Sequence, residues 1–308
     1  MLPRNSPRPH HAQTHRPLAA ALWMVGSIMS FSAMAVAGRA VSGLHDTFEI
    51  MLWRSLVGLG IVVLIAAATG RLAQIRRDRL GQHLIRNLFH FCGQNLWFWA
   101  LTMIPLAQVF ALEFTSPIWV ILLSPLFLAE RITPSRALAA AMGFVGILIV
   151  ARPDFAALNP GVLAAAASAI CFAATIILTK ALTRGEGILS ILFWLTGMQL
   201  CFGLLAAGAD GAILLPTAAT LPWLALIGVA GVFAHYCLTT ALSLASASVV
   251  VPIDFARLPV IALVGMLLYD EPLDLLVILG GAVIFAANWI NIRGENLARR
   301  PQPEVKFP

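Results

Sequence analysis

The chain has 308 residues, 60% of them hydrophobic and only 11% charged, whereas an ordinary soluble domain is roughly 45–50% apolar and about 25% charged. That balance excludes a soluble globular protein, which needs a polar exterior over its core. The formal charge of +6 does not point to nucleic acid, because Lys and Arg fall in short clusters between apolar runs and not along one basic face.

Residues 1–17, rich in Pro, His and Arg, read as a disordered tail on the cytoplasmic side. Ten apolar runs follow, each near the ~20 residues a helix needs to cross a bilayer. They are Leu18–Ala37, Thr47–Ala68, His83–Ile104, Leu106–Leu128, Arg136–Ala151, Val162–Leu182, Leu189–Ala207, Leu221–Ala241, Ser248–Leu268 and Leu273–Ile292, with residues 293–308 as a second tail. Lipid offers the backbone no hydrogen-bond partner, so a span is either a helix or part of a closed barrel. Continuous apolar runs without period-two alternation select helices. Ala33-Met34-Ala35 has the form of a signal-peptidase site, but the apolar stretch before it is longer than a typical signal core.

With both termini on one side, fifteen Lys and Arg residues share that side, among them Arg71, Arg76, Arg77 and Arg79 after the second run. Only Arg39 and Arg152 fall in loops on the other side. The positive-inside rule then places both termini in the cytoplasm and the chain in the inner, cytoplasmic membrane. Cys92, Cys171, Cys201 and Cys237 all lie within apolar runs and form no CxxC pair. They read as small buried apolar residues, and neither a disulfide framework nor a metal site is indicated.

A shift of 141 residues aligns the two halves without a net gap. Phe31 then meets Phe172, Arg39 meets Lys180, Trp53 meets Trp194, Glu113 meets Asp254, Phe114 meets Phe255 and Glu130 meets Glu271. The repeats cover 18–151 and 152–292. Each holds five spans, and five is odd, so the second copy enters the membrane from the opposite side. The expected fold is therefore an all-α integral membrane protein of ten transmembrane helices in two inverted five-helix repeats. In such plans a solute binds near the midplane between the halves.

Several stretches resemble a known family. Leu112-Glu113-Phe114-Thr115-Ser116-Pro117, then Leu126-Phe127-Leu128-Ala129-Glu130-Arg131-Ile132 and Gly143-Phe144-Val145-Gly146, look like the end of an EamA domain. So do Arg54 in the second span and Leu267-Leu268-Tyr269-Asp270-Glu271-Pro272 in the second half. The resemblance runs from about Ala19 to Ile292 as two EamA units and points to the drug/metabolite transporter superfamily. It implies a central cavity and exchange between inward-open and outward-open forms. Family members carry amino acids, nucleotide-like metabolites, vitamins, sugars, metal-chelating metabolites or drugs.

A charge at a helix centre costs ~2.5–3.5 kcal/mol on insertion scales, so it faces the bundle interior and marks function. Glu113 lies four residues before Pro117, and its mate Asp254 lies between Pro252 and Pro259. Proline frees backbone carbonyls that a cavity can use. The two acids are expected slightly to either side of the midplane, where they can meet solute or protons. Arg257, at i,i+3 from Asp254, is positioned either to pair with it or to attract an anionic group. Arg54 is expected to pair with Glu49 or Glu113, in a gating or structural role. Gln94 and Asn95 align with His235 and Tyr236 as hydrogen-bonding groups, and His90 and Trp97 share a helix face with Gln94. The competing reading for these polar groups is helix-to-helix bonding, worth ~0.6 kcal/mol each.

The function expected is a secondary carrier for a small organic metabolite or drug-like solute, working by alternating access with protons as a candidate coupling ion. A structural or assembly protein gives no reason for matched acids at membrane depth. A membrane-embedded transferase would need a His/Asp cluster or a DDxxD motif, and the sequence has neither. No GxxxxGK[ST] loop is present for ATP. The partners expected are the solute and the bilayer, without nucleic acid or cofactor, and a homodimer is one assembly the sequence permits.

Overall fold

A computed structural model describes residues 17–128, 134–151, 159–182, 185–209, 211–244, 253–254, 256–272 and 274–298. Throughout these the regular structure is helical. The helices are α1 (Pro17–Val41), α2 (Thr47–Ala68), α3 (Leu80–Met103), α4 (Leu106–Glu113), α5 (Ser116–Leu128), α6 (Pro134–Ala151), α7 (Pro160–Leu182), α8 (Ile188–Ala207), α9 (Leu221–Leu244), α10 (Arg257–Tyr269) and α11 (Leu275–Ala298). Five of them, α1, α2, α7, α8 and α9, contain windows long and apolar enough to cross a membrane. The fourth span is α4 and α5 together, and α10 with residues 253, 254 and 256 is the described part of the ninth. Glu130, Pro252, Phe255, the Lys180 side chain and residues 1–16 of the tail lie outside the described residues.

The 141-residue offset recurs in the helix starts, from Leu80 to Leu221, Ser116 to Arg257 and Pro134 to Leu275. It recurs again in the packing. The most extensive contacts are α1 with α9, its counterpart α3 with α7, and the self-paired α2 with α8 and α6 with α11. Each helix thus packs chiefly on the other half, so the two repeats make one body. Glycines set the closest crossings, as small residues do in membranes. A Cβ on Gly203 would lie 2.9 Å from Leu52 Cα, and one on Gly146 would lie 3.0 Å from the Gly280 carbonyl oxygen.

α3 shows the solvent logic most directly. Leu84, Ile85, Leu88 and Phe89 are exposed on one face, while His83, Arg86, Asn87, His90 and Gln94 are buried on the other. A soluble helix is arranged the opposite way. Here apolar faces meet lipid and polar groups find one another inside.

Two straps hold the helix ends. At the end of the bundle away from the chain termini, Glu49 accepts hydrogen bonds from His45 (3.1 Å) and from the Leu214 amide (2.6 Å), and His45 meets Thr220 at 3.1 Å. At the other end Glu186 meets His83 at 3.0 Å and accepts from Ser190 Oγ at 2.7 Å. The repeat-related indoles close both loops: Trp53 donates to Leu214 O (3.2 Å) and Trp194 to Arg76 O (2.7 Å).

Three expectations change. Helix α1 runs on to Val41, which takes Arg39 out of the loop and into the last helical turn. There its guanidinium donates to Leu101 O (2.8 Å) and Ile104 O (2.6 Å) and pairs with Glu271, whose other oxygen accepts from the Leu106 amide at 2.9 Å. This cluster closes the bundle at that end. The fourth span is broken at Phe114 and Thr115. Finally, Cys92 and Cys201 are exposed on lipid-facing positions, and only Cys237 is fully buried.

Candidate functional site

Pro117 explains the break. It has no N–H to give the carbonyl four residues back, and its ring crowds that carbonyl. That carbonyl belongs to Glu113. Helix α4 ends there, Ser116 Oγ donates to the freed oxygen at 2.6 Å, and Pro117 sits in the first turn of α5, where no N–H is required. The break leaves the Glu113 carboxylate at a helix end inside the bundle.

Glu113 Oε2 accepts from Trp97 Nε1 at 2.8 Å, and Oε1 accepts from Arg257 Nη2 at 3.1 Å. The same Nη2 donates to Asp254 Oδ2 at 2.9 Å. One cation therefore holds both acids of the matched pair. Its side chain is 5% exposed, against 16% for Glu113 and 25% for Asp254. The guanidinium lies 4.9 Å from the ring centre of Phe31 and 5.1 Å from those of Phe110 and Phe114, within cation–π range. The i,i+3 pair expected from sequence is present, and its link to Glu113 across helices is new.

A second polar cluster lies between α2, α3, α8 and α9. Arg54 is 6% exposed, and among the described residues it donates no hydrogen bond and meets no carboxylate. Neither expected partner is available, because Glu49 serves its strap and Glu113 serves Arg257. Arg86, 3% exposed, donates to Thr179 Oγ1 (3.0 Å) and to its neighbour Asn87 Oδ1 (2.8 Å). His90 and His235 stand edge to face, with ring centres 5.4 Å apart. Both nitrogens of His90, Nε2 of His235 and Oε1 of Gln94 are buried without a hydrogen-bond partner among the described residues. A small cavity lined by Arg54, Ser55, Gly58, Thr196, Gly231 and His235 opens beside the group. Phe31 joins the clusters, with Arg257 over its ring and His235 at its edge, 5.5 Å between centres.

Glu113, Asp254, Arg257 and Trp97 thus come together, and Arg54, His235 and Gln94 line the neighbouring cluster. The Asn95 amide donates to Phe91 O on its own helix at 2.8 Å, while its Oδ1 is buried without a partner among the described residues. Tyr236 is exposed and stacks edge-on against Trp23, away from both clusters. Arg86 and Phe31 belong to the site although they were not singled out. Arg86, His90 and Gln94 follow one another at four-residue steps on α3, so a buried polar stripe was visible in the spacing. One cluster is rich in acid, the other in cation, and aromatic faces join them.

The profile of the EamA-like transporter family matches residues 18–152 and again 159–293. A riboflavin transporter of Brucella anthropi is 30% identical over 280 residues, covering 89% of this chain and 98% of that protein. A riboflavin transporter of Rhizobium johnstonii is 35% identical over 225 residues, 73% of this chain and 74% of its own. An S-adenosylmethionine uptake transporter of Rickettsia bellii is 27% identical over 280 residues, 90% of this chain and 94% of its own. A protein of known crystal structure shares the fold with a TM-score of 0.65 at 18% identity, over 92% of this chain and 99% of that one.

Proposed function

The chain belongs to the EamA-like transporter family and moves a small organic metabolite across a membrane, and from that premise we propose that the metabolite is a planar nitrogen heterocycle of the riboflavin type. The observation that carries the reading is the similarity spanning 98% of a riboflavin transporter. The site supports it chemically. Riboflavin offers a flat ring system to Phe31, Phe110, Phe114 and Trp97, and carbonyl and hydroxyl groups to the polar clusters at either side.

The inverted packing supports alternating access between the two ends of the bundle. Glu113 and Asp254 share Arg257, so a solute or proton that competes for either carboxylate or for the guanidinium changes the whole triad. The Lys and Arg asymmetry supports both termini in the cytoplasm and residence in the inner membrane. The five-helix units are 18–151 and 152–292, flanked by cytoplasmic tails.

The test is uptake of radiolabelled riboflavin by a riboflavin-requiring bacterium that lacks its own uptake system, with and without this chain. Uptake competed by excess unlabelled riboflavin is the expected result. Uptake of S-adenosylmethionine alone in the same cells would sink the riboflavin reading. Vesicles with and without a pH gradient would then show whether protons drive the flux.

A further inference from the structure

Arg54 and Arg86 are two guanidinium groups buried in the span region, with no carboxylate beside either among the described residues. A buried charge without a counter-charge is costly, so structural packing alone gives no reason for keeping two. The surroundings add no anion. They are His90, His235, Gln94, Thr196 and Ser55, all neutral or cationic, and the cavity beside Arg54 is walled by Gly58 and Gly231. Gly231 leaves room for the guanidinium itself, since a Cβ there would stand 3.0 Å from Arg54 Nε.

We propose that Arg54, supported by Arg86, His90 and His235, is the subsite for two adjacent acceptor atoms on the solute, either the oxygens of a carboxylate or a ring carbonyl oxygen and the unprotonated ring nitrogen beside it. The guanidinium fork presents parallel N–H donors that match two acceptor atoms side by side. Nε of Arg54 supplies a buried donor with no partner, and His235 on the wall of the same cavity, with His90 against its ring, supplies a further unpartnered nitrogen. Through Phe31 the acceptor end of the solute is continuous with the Arg257 triad. The assignment deepens the riboflavin reading and rests on it for the identity of the ring, but the acceptor chemistry is separable.

The test uses the purified full chain in detergent with two probes. Riboflavin is titrated by quenching of its fluorescence. Orotate, a planar imide ring that also bears a carboxylate, is titrated by thermal shift. Arg54→Met removes the fork while keeping the bulk. It is expected to weaken binding by about ten- to a hundredfold, the loss of hydrogen bonds to a charged group, and to raise the melting temperature of the solute-free protein, because an unpaired buried charge has gone. Arg54→Lys, which keeps the charge without the fork, is expected to bind between the two. An orotate response without a riboflavin response keeps the subsite and removes the riboflavin reading. Equal binding by wild type and Arg54→Met, no response to either probe, or a fall in melting temperature with binding unchanged would each overturn the subsite.

Discussion

Arg257 is the residue on which most of the central contacts converge. It holds Glu113 and Asp254 and stands over three phenylalanine rings. Removing one partner of a buried ion pair costs about 3–5 kcal/mol, because the remaining charge is stranded. Arg257→Met is therefore expected to lower thermal stability sharply in detergent. The triple change Arg257→Met, Glu113→Gln and Asp254→Asn is expected to recover most of that stability without transport. A single variant as stable as wild type would contradict the triad. These three residues were legible in the sequence because charge in an apolar run has few explanations and the repeat matched the acids. That Arg54 meets no carboxylate among the described residues was not legible. Pairing across helices depends on how each helix is rotated and how far it slides, and a local sequence does not encode either.

At the scale of elements, breaks and crossings do the positioning. Pro117 announced itself in the sequence, but the consequence that α4 stops on Glu113 needed the hydrogen bond from Ser116. The glycine crossings were readable as packing positions only in general. Gly203 touches the Leu52 backbone, whereas Gly60 on α2 has open space around it. Gly203→Ala is expected to destabilise by about 1–3 kcal/mol, as overpacking does. Gly60→Ala is expected to be neutral or slightly stabilising. Equal melting temperatures for the two variants would refute the close crossing. The strap at Glu186 makes a prediction in pH. Burial pushes its carboxyl upward, but hydrogen bonds from Ser190 and His83 and the positive charge of nearby Arg76 outweigh that and hold it below its ordinary value. A depressed carboxyl contributes stability above its unfolded value, about 4.3, and loses it as pH falls through the folded value. Wild type should therefore lose more stability than Glu186→Gln as the pH is lowered from about 5 to about 3. Parallel melting curves across that range would show that the strap carries no such linkage.

At the scale of the molecule, the ten-span plan and its inversion were legible almost entirely, because apolar run length and an ungapped offset survive without any knowledge of packing. The closure by Arg39 and Glu271 was hidden, since α1 outlasts its apolar run and the partner lies 232 residues away. The central site also has an electrical side. Among the described residues, Arg54, Arg86 and Arg257 outnumber Glu113 and Asp254 by one, an excess of one positive charge with all five ionised. When access switches from one end of the bundle to the other, the voltage drop shifts from one side of that site to the other. A single charge carried through 100 mV changes energy by about 2.3 kcal/mol. An inside-negative membrane thus favours the inward-facing form, with or without a neutral solute of the riboflavin type bound, and only an anionic solute would cancel the excess. Flux in proteoliposomes clamped with a potassium gradient should depend on voltage, and Arg54→Met should flatten that dependence.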